Sequence, residues 1–150
     1  MANSHFIKSR VEPAMREILE VKLCVRLSER AMPLRWDGQG TGSFKFDAVS
    51  EDGTVLACLS TARNLKAGQK HKLMRDATFM WLVPGVKRRI LAVADNFVAV
   101  ALGIELTGGR LPPATEIEVV ALPEVLLVEL DAFYRTAVDE VRRVPKVESN

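Results

Sequence analysis

Residues 43–61 narrow the fold of this chain more than any other segment. Ser43 to Ser50 alternates, with Phe44, Phe46 and Ala48 on one face and Lys45, Asp47 and Val49 on the other, which is the period of a β-strand. Glu51-Asp52-Gly53 follows as a turn, because glycine takes the positive φ that a tight reversal needs. Thr54 to Thr61 is mostly apolar and reads as a buried strand. Together they predict a β-hairpin.

After the hairpin, helices and strands alternate. A helix is predicted from about Gln69 to Val83, with Leu73, Ala77 and Met80 as one stripe and Pro84-Gly85 as its stop. Arg89 to Ala94 reads as a short apolar strand, and Asp95 or Asn96 can cap a helix that runs to about Leu106. Thr115 to Ala121 forms another strand, and Pro123 opens a last helix carrying Leu127, Leu130, Tyr134, Ala137 and Val141. Ahead of the hairpin, Val11, Met15, Ile18 and Leu19 recur at helical spacing around Pro13. That helix begins near Ser9 or Arg10 and ends near Leu23. Val21 to Leu27 alternates and fits a strand as well as a helix, and Met32 to Trp36 reads as a short extended segment. The expected class is α/β, with a mixed central sheet covered by helices on both faces.

The length of 150 residues matches one domain spanning 1–150, and 48% hydrophobic against 27% charged residues is globular composition. The 21 basic residues are nearly cancelled by 19 acidic ones, so net charge names no partner. Cys24 and Cys58 give neither a disulfide framework nor metal-ligand spacing, and both are expected to be buried thiols. The first residues lack a basic segment followed by an apolar run, and nothing approaches the ~20 apolar residues that cross a bilayer. A cytoplasmic location without membrane contact is the expectation.

The loop Asp37 to Gly42 is glycine-bearing but lacks the Lys-Ser/Thr ending of a phosphate loop, and a strand follows it. It reads as a flexible connection. Arg63, Lys66, Lys70, Lys72 and Arg75 form the densest basic segment, and Lys87, Arg88 and Arg89 a second. Solvated faces and phosphate contacts are both open readings for them. His5 and His71 read as solvated, Trp81 as core, and Trp36 as a surface residue beside Arg35.

The order of elements, with Asp47 on the first hairpin strand, resembles the αβββαβ core of the PD-(D/E)XK, or restriction-endonuclease-like, superfamily. The segment F-K-F-D-A-V-S-E-D-G-T-V-L-A-C-L-S-T-A carries the likeness, which spans roughly Val11 to Ala121. The resemblance implies an acidic metal ligand at Asp47 and a Glu/Asp-x-Lys triplet at Cys58-Leu59-Ser60. Cys58 stands where a carboxylate is expected and Ser60 where the lysine is. A neutral thiol is a poor Mg²⁺ ligand and serine carries no positive charge.

The resemblance therefore implies a nuclease-like domain that has lost catalysis and serves as a nucleic-acid-binding or structural module. The alternatives are an active Mg²⁺-dependent DNA nuclease with relocated groups, and an interaction or dimerisation domain with no nucleic-acid role. Relocation would draw on Lys45, on Glu17 or Glu20 of the first helix, and on Lys70 or Lys72. Arg63, Lys66, Lys70, Lys72, Arg75, Lys87 and Arg88 are the candidate nucleic-acid contacts. No cofactor is expected unless the domain is active, when Mg²⁺ is. DNA is the expected partner. A second copy is expected to dock on the last helix, where Leu126, Leu127, Leu130, Phe133 and Tyr134 exceed what one face needs. Strand alternation also predicts that Asp47, Lys45 and Ser60 lie close together near one edge of the sheet.

Overall fold

A computed structural model of the chain describes residues 5–36 and 42–143. The loop predicted at Asp37 to Gly42 lies, except for Gly42, outside the described residues. A π-helical turn, Ile7–Val11, leads into α1, Glu12–Leu23, with Pro13 in the first turn. Cys24 closes α1 in the left-handed region at φ 56°, and its N–H donates to Glu20 O. Then come β1 (Leu27–Leu34), β2 (Gly42–Ser50), β3 (Val55–Ser60), α2 (Ala67–Trp81), β4 (Arg88–Val93), α3 (Asn96–Thr107), β5 (Thr115–Val119) and α4 (Glu124–Arg143). Asp95 caps α3 through its side chain, which accepts from the N–H groups of Phe97 and Val98.

The strands form one five-stranded sheet in sequence order, β1-β2-β3-β4-β5. β1, β2 and β3 are antiparallel neighbours, whereas β3, β4 and β5 run parallel. Both parallel connections step the same way across the sheet, so the right-handed crossover rule sends α2 and α3 to the same face. Leu73, Ala77 and Met80 of α2 and Val98 and Leu102 of α3 share a core with Leu56, Cys58, Leu91 and Val93. On the opposite face, Val11, Met15 and Leu19 join Leu130 of α4 over Ala57, Leu59, Ile90 and Ala92. The chain is thus α/β, with a mixed sheet between two helical layers and with helix, three strands, helix and strand in that order at its start. No helix among the described residues is long and apolar enough to cross a membrane.

Three sequence expectations change. The extended segment is a full strand, β1, whose run Ser28-Glu29-Arg30 hid it; as an edge strand it needs neither an apolar face nor a donor at Pro33. Cys24 is exposed, because it ends a helix, and only Cys58 is buried. Trp81 is 45% exposed and lies under the Arg89 guanidinium, 5.4 Å from the ring centroid, so it is not core. The apolar residues of α4 are also redistributed. Leu130 is fully buried, Leu126, Leu127 and Tyr134 are partly buried against the core, and Val125 and Val128 of the same helix are exposed.

Candidate functional site

A bulge in β2 creates the site. Ser28 pairs with Val49 and Arg30 with Phe46, so two steps along β1 match three along β2. The extra residue breaks the alternation expected for β2. Phe44, Phe46 and Val49 face α2 and α3, whereas Ala48 faces α1 and α4. Such a bulge bends a strand and re-aims a side chain. β2 and β3 pair through Ala48–Ala57 and Val49–Leu56. Beyond those pairs the Asp47 Oδ2 accepts the Leu59 N–H at 2.9 Å, doing the work of a ladder bond. Arg16 fixes the bulge from α1, donating through Nε to Asp47 O at 2.9 Å.

The parting of the strands opens a cleft of about 420 Å³ lined by Lys8, Glu12, Phe44, Lys45, Asp47, Thr61, Lys72, Arg75, Asp76, Phe133 and Tyr134. A smaller recess of about 100 Å³ adjoins it, shares Glu12, Thr61, Lys72 and Tyr134 with it, and adds Ser60 and Gln69. Lys45 and Asp47 therefore line one cleft, with Ser60 in the recess beside it. They meet at the carboxyl end of β3, in the middle of the sheet and not at its edge, because β2 and β3 are interior strands. Thr61 Oγ1 and Tyr134 OH lie 2.7 Å apart and tie α4 to this end of β3.

Two carboxylates that the sequence reading passed over, Glu12 and Asp76, complete the cleft. Asp76 is 5% exposed and Glu12 8%. Burial pushes both above the ordinary carboxylate range, and the nearby charge of Asp47 pushes each further the same way. Lys8 partly offsets this at Glu12, 3.5 Å away, and Arg75 does so at Asp76, 3.0 Å away. A signal for both was present in the sequence. Asp76 falls within the Leu73-Ala77-Met80 stripe of α2, and Glu12 beside Val11 on the Met15-Leu19 stripe of α1, where an apolar residue is the norm. Glu17 and Glu20 do not line the cleft, since they lie one and two turns further along α1.

The cations divide sharply. Lys72 is exposed over the cleft and makes no ion pair among the described residues. Lys45 pairs with Glu29 at 2.6 Å on the rim. Lys70 instead reaches Glu105 at 2.7 Å, and Arg63 bridges Asp95 and Asp131 at 3.2 and 2.9 Å. Arg88 pairs with Glu116 at 2.7 Å, and Lys87 is exposed beside it. Val55 pairs with Arg88 and Ser60 with Val93, so the segment around Arg88 stands at the other end of the parallel strands from the cleft. The two basic segments do not meet. Arg89 is structural: it donates to Met80 O, Val83 O and Val86 O at the end of α2. Lys66 precedes the first turn of α2 and is exposed.

The donor set does not fit a metal as arranged. Cys58, at the position of the expected second carboxylate, is 1% exposed, and burial pushes its thiol well up, so it offers no thiolate. Asp47, Glu12 and Asp76 are each bound to a different partner, and among the described residues no three His, Cys, Asp or Glu side chains are grouped to hold an ion.

No protein-family model matches the chain, and no curated protein or solved structure matches it.

Proposed function

We propose that the chain is a nuclease-like domain that binds nucleic acid in this cleft and lacks the full metal-dependent hydrolytic set. One observation carries the reading: Lys72 stands exposed and without an ion pair among the described residues, over a cleft at the carboxyl end of a parallel strand. Open α/β sheets bind ligands outside the carboxyl ends of their strands. Lys8, Lys45 and Arg75 line the same cleft, in ion pairs with Glu12, Glu29 and Asp76, and phosphate contacts from such side chains provide affinity without reading sequence. The loss of catalysis follows from Cys58 and Ser60, which bring neither a hard anionic ligand nor a cation.

A second reading, an active nuclease with relocated groups, is favoured by the mutual influence of Asp47, Glu12 and Asp76 and by Lys72 on a helix in place of a strand lysine. Binding of a labelled oligonucleotide, followed by anisotropy in chelator and then in Mg²⁺ or Mn²⁺, separates the two. The binding-module reading expects salt-sensitive binding in chelator that Lys72→Ala weakens, with the oligonucleotide left intact in metal. Metal-dependent cleavage that is lost in Asp47→Ala supports the nuclease. Absence of binding at low ionic strength refutes both.

A further inference from the structure

We propose that the cleft takes an unpaired nucleic-acid strand in preference to a duplex, an inference that rests on the nucleic-acid reading above. The cleft is not only charged; the aromatic rings of Phe44 and Phe133 also line it. From β2, Phe44 lies 4.9 Å from Phe46 and 4.9 Å from Phe79, ring centre to ring centre, with the Arg75 guanidinium 5.6 Å over its ring. From α4, Phe133 lies 5.7 Å from Phe6 and 5.5 Å from Tyr134. The first group belongs to the core on the α2 face and the second adjoins the core on the α1 face, so the rings approach the cleft from the two sides of the sheet. Phe44 and Phe133 are both only partly buried and both line the cleft with Lys8, Lys45 and Lys72.

Cations that follow a backbone, interleaved with aromatic rings that accept bases, are the chemistry of single-strand recognition. A duplex keeps its base faces stacked on one another and offers only phosphates to this surface, so it gains nothing from Phe44 or Phe133.

The test uses the full chain and two probes of equal length, a mixed-sequence DNA oligonucleotide and its duplex, titrated by anisotropy at low ionic strength. The single strand is expected to bind about tenfold more tightly than the duplex. Phe133→Leu keeps apolar bulk against Phe6 and Tyr134 while removing the ring face, and should erase that preference by weakening the single strand alone. Phe133→Trp should restore it, and thermal melts of both variants verify that they are folded. Duplex bound as tightly as single strand overturns the inference while leaving the nucleic-acid reading intact, and so does a Phe133→Leu variant that keeps the wild-type preference. Absence of binding by either probe overturns both.

Discussion

Asp47 and Leu59 are joined across the point where two strands part: the Asp47 Oδ2 accepts the Leu59 N–H at 2.9 Å. The carboxylate takes a place that a backbone carbonyl fills elsewhere in the sheet, and Leu59 is 5% exposed, so little solvent can replace it. Asp47→Ala is therefore expected to cost about 1–3 kcal/mol in urea unfolding, the penalty of an unsatisfied buried donor. Asp47→Asn keeps an acceptor and should cost clearly less. Equal losses in the two variants would mean that the bond contributes nothing and that packing around the bulge decides.

Arg89 supplies the second prediction. Its guanidinium caps carbonyls at the end of α2 and covers Trp81. Arg89→Met keeps the aliphatic stem and removes the donors, and should destabilise the fold by about 1–3 kcal/mol. Oligonucleotide affinity of the folded variant should stay unchanged, since Arg89 takes no part in the cleft. A variant of wild-type stability with lost affinity would make Arg89 a ligand contact.

Asp76 gives a pH dependence whose sign is fixed. Burial and the charge of Asp47 raise its folded-state pKa above the ordinary 3.8. The folded protein therefore takes up this proton more readily than the unfolded chain, and ionised Asp76 weighs against the fold at neutral pH. Asp76→Asn should raise the melting temperature at pH 7. The gain should shrink as pH falls through the raised pKa and vanish below 3.8. A loss of stability at pH 7 that fades as pH falls would mean that the Arg75–Asp76 pair outweighs the burial of the charge.

The sheet's interior was legible in the sequence and the site's walls were not. Apolar runs such as 55–59 and 90–93 declare buried parallel strands because both faces are covered by helices. β1 escaped because an edge strand needs no apolar face, and Ser28, Glu29 and Arg30 look like loop residues. Asp47 was found from the hairpin, and Lys72 from the run of basic residues on α2. Its bulge was not found, because one extra residue in a strand leaves no mark in a pattern that allows either face to be apolar. Glu12 and Asp76 each sit within an apolar stripe, a signal masked by the acidic and basic residues around them. Ion pairing was hidden as well: Arg63, Lys70 and Arg88 look free in sequence but find carboxylates 28 to 68 residues away.

The central claim, that the cleft around Lys72 binds nucleic acid, is tested most directly by the salt dependence of oligonucleotide binding in two lysine variants. Lys72 lines the cleft, whereas Lys87 lies beside Arg88 at the opposite end of the parallel strands. Each phosphate contact on a single strand contributes about 0.7 to the slope of log K against log salt. Lys72→Ala should weaken binding and lower that slope by about 0.7, while Lys87→Ala leaves both unchanged. A slope and affinity unaltered by Lys72→Ala, or lost equally in Lys87→Ala, would contradict the account.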